Sequence, residues 1–374
     1  MATDLAPRDA LWARLRTQRL VGAGLGTPTE VVRLLGCVQS QEWAHAFWSL
    51  GMRSEGVGCD AVRREFDGGA FVRTHILRPT WHFLAAEDLR WIQSLTAPRV
   101  QQLNRGRYRQ LGLGPDELDR GAAAMLSAVS GGRFLTRPEL RSVLEEAGIG
   151  CEGQRLAHLV MYAELELALC SGPLRGAQHT YAALDERVPA ARPRSREEAL
   201  AELVRRFFVG HGPAGIKDFT RWSSLTTADA RLGLELAGDR LATVQVAGEP
   251  LWYAPAAAPS APTYEPGPAL LVPLYDEVTL SYPRLSFPVA AGHPHPPDGE
   301  LFLGSVIHDA TNVGTWRRTV KGSTVVLEPR LAPGLGARTA AAVDEAMQRL
   351  AGFLGLELLV FAEPALGGNR QVTV

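Results

Sequence analysis

Two carboxamides separated by one residue, Gln39 and Gln41, stand in the run Gly36-Cys37-Val38-Gln39-Ser40-Gln41-Glu42-Trp43. A carboxamide offers an acceptor oxygen and two donor hydrogens, and it does not titrate near neutrality. Such a pair can orient a water, bond a partner's polar edge or stabilise developing charge, but it makes a poor general base. It therefore suits displacement of a group already activated to leave, where positioning and preorganised dipoles suffice. Residues i and i+2 point to one side of an extended segment but lie about 200° apart around a helix. If both serve one site, the segment must be irregular or at a helix end, which Gly36 permits. Taken alone, Gln-x-Gln reads more readily as helix-end hydrogen bonding.

A second polar group follows in Val72-Arg73-Thr74-His75-Ile76-Leu77-Arg78-Pro79-Thr80-Trp81-His82-Phe83. Two β-leaning runs flank a turn at Pro79. Alternation puts His75 and Leu77 on one face and Ile76 and Arg78 on the other until the turn resets the register. Arg78 reads as a phosphate contact, with His75 and His82 as further contacts and Trp81 as a pocket wall. Against this, Trp81 and Phe83 read first as core residues, and one histidine as a buried hydrogen-bonding group. Further on, residues 305–318 read as a hairpin with a polar turn, ending in Arg317 and Arg318. For these two, phosphate contact and solvated surface charge stay equally open. Asp276 and Glu277 are assigned no chemistry. Nothing forms a phosphate-binding loop, a metal cluster or a serine nucleophile elbow, so no cofactor and no metal is expected.

The two runs, together with Leu274-Tyr275-Asp276-Glu277 and Gly314-Thr315-Trp316-Arg317-Arg318, resemble the AlkZ/AlkX family of DNA glycosylases over about residues 8 to 362. The resemblance implies that Gln39 and Gln41 are catalytic, and Gln at the second position places the chain with the AlkZ branch, since the AlkX branch is acidic there. Ser40 departs from the aliphatic residue usual at the middle position, which either loosens packing or adds a hydroxyl. The implied fold is three tandem winged helices in a C shape with a channel for duplex DNA. The implied activity is hydrolysis of the N-glycosidic bond of N7-alkylguanine, giving self-resistance to bulky natural-product alkylators such as azinomycins, trioxacarcins and pluramycins. An N7-alkylated guanine is cationic and leaves as a neutral base, so no acid catalyst is needed. An open channel with little or no base flipping suits bulky adducts better than a tight pocket.

The elements that must carry these residues read as an α+β, mainly helical chain in four parts: 1–110, 111–190 and 191–253, each a winged helix, and a β-rich domain over 254–374. In the first part, helices are expected at 8–20, 28–35 and 59–66, followed by the hairpin of 71–84. In the second, 115–129, 137–146 and 154–166 precede a hairpin through 167–181. The run Val188 to Arg194 marks a boundary, and Ser195-x-x-Glu198 opens a capped helix. Helices at 217–223 and 226–237 follow. Pro, Gly and Ala crowd 254–269, then β-rich runs at 270–274, 301–307 and 323–327 lead to a helix over 337–354 and a strand over 356–361.

Composition sets outer bounds. At 46% hydrophobic and 21% charged, the 374 residues are ordinary for a globular chain. No apolar run approaches the roughly 18 residues that span a bilayer, and the first residues lack a signal-peptide pattern. A cytoplasmic, monomeric protein with no membrane partner is expected, its four separated cysteines reduced. The net charge of −1 argues against a generic nucleic-acid coat protein, although only Lys217 and Lys321 of the 39 basic residues are lysines. Coding bias explains most of that asymmetry, yet arginine is also the better phosphate fork. Double-stranded DNA carrying alkylated guanine is the expected partner. A winged-helix DNA-binding regulator and a toxin-sequestering protein are the alternatives. The segments 59–66 and 154–166, poor in Arg and Lys, speak against the regulator.

Overall fold

The computed structural model describes residues 4–258, 267–294 and 303–360. A short strand β1 (Asp4–Leu5) and helix α1 (Pro7–Thr17) precede three segments that share one order of elements. The first runs α2 (Pro28–Leu35), β2 (Val38–Gln39), α3 (Trp43–Gly51), α4 (Cys59–Asp67), β3 (Phe71–His75) and β4 (Trp81–Ala85). The long helix α5 (Leu89–Gln110) connects it to α6 (Pro115–Val129), β5 (Leu135–Thr136), α7 (Arg137–Glu146), α8 (Arg155–Leu165), β6 (Leu169–Ser171), β7 (Thr180–Ala183) and the single turn α9 (Leu184–Arg187). The third segment contains α10 (Arg196–His211), α11 (Ile216–Ser223), α12 (Thr227–Ala237), β8 (Ala242–Val246) and β9 (Glu249–Tyr253). In the first two segments the leading strand pairs with the last, giving the orders β2-β4-β3 and β5-β7-β6. In the third, an isolated bridge from Ala214 to Trp252 takes that place, and β1 adds itself parallel to β8.

The remainder forms one five-stranded sheet, β10-β11-β12-β13-β14. Its elements are β10 (Leu270–Val272), α13 (Glu277–Leu280), β11 (Gly304–His308), β12 (Thr311–Lys321), β13 (Thr324–Leu331), α14 (Ala337–Leu354) and β14 (Glu357–Val360). The chain is α+β. Residues 259–266, 301–302 and 361 of the expected elements lie outside the described residues. No described helix is long and apolar enough to cross a membrane.

Local chemistry explains the starts and stops. Thr27 and Glu30 form a capping box with Pro28 in the first turn of α2, and Ser195 with Glu198 does the same for α10. Gly36 ends α2 at φ +75°, a conformation open to glycine, and the chain leaves it extended into β2. This corrects the helix-end reading of the glutamines, since Gln39 lies on a strand. Besides the single turns α9 and α13, two longer helices were not foreseen. α3 buries Ala46, Phe47, Trp48, Ser49 and Leu50 in succession, which hides the amphipathic period. α5 carries Pro98 in its interior, ordinarily a stop signal. Helices of the first segment are thus α2, α3 and α4, with α1 outside it. Arg317 and Arg318 sit in the middle of β12, past a turn in which Asp309 and Ala310 both take positive φ.

The first segment lies between two cores. Val38, Phe47, Phe66 and Phe83 pack with Val306, Trp316, Met347 and Phe353 of the last sheet and α14. Cys37, Val72 and Leu84 pack with Phe207, Phe219 and Trp222 of the third segment. Alternation along β2 and β4 therefore assigns Val38 and Phe83 to one face and Gln39 and His82, its cross-strand partner, to the other. The second segment has a core of its own around Met125, Leu140, Leu159 and Tyr181.

Candidate active site

Gln39 is held at both ends. Its backbone N–H donates to Glu277 Oε1 at 2.9 Å, and its side-chain oxygen accepts from Arg78 Nη2 at 2.6 Å. Arg78 reaches back over the sheet because the turn after β3 is tight. Its N–H donates to Ile76 O at 2.7 Å, across a buried Leu77 with φ +64°. A non-glycine residue held there costs about 1–3 kcal/mol, offset here by burial of the leucine. His82 is fully buried. Its Nδ1 donates to Thr80 O at 3.0 Å, which leaves Nε2 to accept from Arg78 at 3.2 Å. Burial first, and then the Arg78 charge, push the His82 pKa down to about 3, so the ring is neutral.

Ser40 is buried. It continues the ladder through its N–H to Trp81 O at 2.8 Å, and its carbonyl takes two bonds from Arg73, each 3.1 Å. Among the described residues its hydroxyl has no partner, so the residue adds a polar group under the motif. Gln41, two residues past the strand, lies exposed at a bend before α3.

The other expected residues are placed as follows. His75 is buried, its Nδ1 against Glu164 Oε2 of α8, which ties the hairpin to the second segment. Trp81 is not in the core, unlike Phe83. It is half-buried between the Arg73 guanidinium, 4.2 Å from its ring, and the His75 ring, 4.4 Å away. Arg78 also gives Nη1 to Arg221 O at 3.3 Å, so both terminal nitrogens face protein. Arg317 is exposed and paired with Glu328 of β13. Arg318 is half-buried, with Nη1 sealed from solvent and without a hydrogen bond. The structure thus gathers Gln39, Arg78 and His82 by direct contact and sets Trp81 and His75 on the same hairpin. Arg317 and Arg318 stay on the separate sheet of the C-terminal part. Among the described residues no group of His, Cys, Asp and Glu is arranged to hold a metal ion, and the four cysteines are unpaired.

Residues assigned no chemistry in the sequence prove to be the supports. Glu277 is fully buried. Its Oε2 accepts from Ser281 Oγ at 2.8 Å and lies 3.6 Å from His211 Nε2, an ion-pair distance rather than a hydrogen bond. Burial opposes its ionisation, but His211, Arg78 and the Gln39 N–H outweigh this and hold the carboxyl down at about 2. The neighbouring Asp276 takes a fork from Arg53 at 2.7 and 2.8 Å and a bond from Ser49 Oγ at 2.6 Å, all out of contact with water. Arg53 also reaches Gln18, the residue that caps the end of α1, whose amide meets Tyr282. A pair of acids at the end of an apolar run, Leu270 to Tyr275, was the available signal, since buried acids need partners. We expect Asp276→Ala to destabilise the protein by about 3–5 kcal/mol, because Arg53 would be left buried and unpaired. Equilibrium denaturant unfolding checks this, and a loss under about 1 kcal/mol would remove the pair from the framework.

With this geometry in place, comparisons with known proteins are informative. The model of the DNA glycosylase AlkZ-like family matches residues 32–353. An "interstrand DNA cross-link repair glycosylase" of Streptomyces sahachiroi is 28% identical over 249 residues, which take in 63% of this chain and 66%, just under two thirds, of that protein. The solved structure of the Streptomyces sahachiroi DNA glycosylase AlkZ superposes with a TM-score of 0.74 at 21% identity, over 96% of this chain and all of that one, a likeness of fold. The family match spans most of the chain, including the Gln39 cluster and its supports: the protein belongs to the AlkZ-like family of DNA glycosylases, enzymes that hydrolyse N-glycosyl bonds.

Proposed function

We propose that this chain is a monofunctional DNA glycosylase that hydrolyses the N-glycosidic bond of bulky N7-alkylguanine adducts or crosslinks in duplex DNA, with Gln39 and Gln41 as catalytic residues. The observation that carries the reading is the Gln39 amide, fixed by Arg78 and Glu277 on a strand and followed two residues later by an exposed, untethered Gln41. That arrangement positions a water and offers dipoles without supplying an acid, which fits a leaving base already cationic. Relatedness to a protein named for interstrand cross-link repair points the same way.

The three segments of helix, strand, helix, helix and hairpin are read as winged helices. Their boundaries fall near residues 110, 190 and 253, and they curve around a duplex in a C shape. Trp81 and the Arg73 stacked on it face the lesion strand, with Arg78, His75 and His82 holding the hairpin behind them. Arg317 exchanges Glu328 for a phosphate, with Arg318 beside it. The enzyme acts as a cytoplasmic monomer in base-excision repair and protects its host from a genotoxic antibiotic.

The test is release of base from duplexes carrying defined N7-alkylguanines, from methyl to bulky adducts and crosslinks. Release supports the reading. Tight binding of unmodified duplex without release favours a DNA-binding regulator, and capture of free alkylator without release favours sequestration. The only two lysines, Lys217 in the first turn of α11 and Lys321 at the end of β12, lie on other elements than the glutamines. Among the described residues neither lysine is hydrogen-bonded to a glutamine, so with no amine assigned to the chemistry the product should be an intact abasic site. A borohydride-trapped enzyme–DNA adduct would overturn that expectation.

A further inference from the structure

We propose that Arg78 and Glu277 are positioning residues that fix the direction of the Gln39 amide, so that Gln39 only donates, to the departing base, while Gln41 alone holds the attacking water. The inference rests on the glycosylase reading and assigns a separate task to each amide.

The direction follows from donor and acceptor chemistry. A guanidinium has donors and no acceptor, so the Gln39 atom 2.6 Å from Arg78 Nη2 is the carbonyl oxygen. The opposite orientation would set N–H against N–H and lose a short, charge-assisted bond. Nε2 is then the end left for substrate, and among the described residues no hydrogen bond engages it. A cation bonded to the carbonyl also draws electron density through the amide and strengthens its N–H groups as donors. Arg78 cannot swing away freely, because His82 and the Arg221 carbonyl hold it. Glu277 fixes the other end through the Gln39 backbone N–H and is itself held by Ser281. Its buried carboxylate is also the countercharge that lets Arg78 sit close to the motif.

In the reaction a water oxygen bonds to C1′ as the bond from C1′ to the base nitrogen breaks, and that electron pair moves onto the base. The cationic base leaves neutral, the sugar gains a hydroxyl, and one proton passes to solvent. A donor at the base edge stabilises the arriving electron density. The same donor aimed at the water lone pair would oppose attack. Holding the water needs an acceptor, and the exposed Gln41 carries an amide free to turn its oxygen inward.

Glutamate in place of either glutamine keeps the shape and removes the donor, so the two substitutions should separate. Single-turnover excision of N7-methylguanine from duplex DNA is measured for wild type, Q39E, Q41E, R78K and E277Q, with duplex Kd and melting temperature recorded for each. Q39E should fall by about 100-fold or more, whereas Q41E should stay within about tenfold of wild type. The Q41E rate should also rise with pH as the new carboxyl ionises, from near its ordinary value of about 4.3. R78K and E277Q should slow excision by about tenfold or more with Kd unchanged. Equal losses in Q39E and Q41E, or an active Q39E, would overturn the assignment, as would wild-type rates in both R78K and E277Q. If E277Q does not fold, the two glutamate variants still decide the direction. A wild type inert on methyl and bulky adducts alike sinks the glycosylase reading and this one with it. An active wild type with symmetric losses sinks only this one.

Discussion

Gln41→Ala should excise N7-alkylguanine about 10²–10³-fold more slowly than wild type while its affinity for duplex DNA hardly changes. The residue is exposed, has no structural task visible in its surroundings, and follows the strand that fixes Gln39. Under the proposed function, its removal should take away an interaction made with the reacting water and little else. Gln39→Ala should lose excision to a similar extent, but for a different reason and with a structural echo. Arg78 would lose its 2.6 Å acceptor and keep His82 and Arg221 O. A small drop in melting temperature is expected there and not in Gln41→Ala. If the amides act on different atoms, the double variant should approach the product of the two losses. If they share one water, it should be little worse than either. Single-turnover kinetics with measured Kd values check all three variants, and wild-type rates in Gln41→Ala would remove it from the chemistry.

The glutamine pair and the hairpin were legible because each is carried by a run of adjacent residues. Expected helices at 28–35, 115–129 and 337–354 match the observed elements: α2 has a capping box and Pro28 in its first turn, α6 opens on Pro115, and α14 stops at Gly355 in the left-handed region. Gln39 as a strand residue was not legible, since β2 has two residues and exists only because β4 offers Phe83 and His82 as partners. The partners of the supporting acids were not legible for the same reason. Glu277 meets Gln39 across 238 positions, and Asp276 meets Arg53 across 223. The acids after Leu274-Tyr275 carry no assignable chemistry until folding buries them opposite an arginine and a histidine. From the sequence Arg78 reads as a phosphate contact. The tight turn at Leu77 folds it over the sheet, onto the Gln39 amide, a contact that the sequence did not reveal.

Lesion choice should follow from the same absence of an acid. The enzyme should release cationic N7-alkylguanines and leave uracil, hypoxanthine and 8-oxoguanine in place, because those neutral bases need protonation to depart. Neither His82 nor Glu277 can supply that proton near neutrality. His82 titrates at about 3 and so is neutral above about pH 4, while Glu277 titrates at about 2 and is ionised throughout. Arg78 stays a cation, with its pKa lowered by burial but from the ordinary arginine value. None of the three changes charge between about pH 6 and 8, and neither glutamine titrates there, so the excision rate should be flat across that window. Toward pH 3 and below, His82 gains a proton and can no longer accept from Arg78, so activity should fail on the acid side rather than the alkaline one. Rates on a panel of cationic and neutral lesions, each followed over pH, test both statements together. An inflection near neutrality would bring another histidine into the chemistry, and robust release of a neutral, unalkylated base would mean that an acid operates at this site.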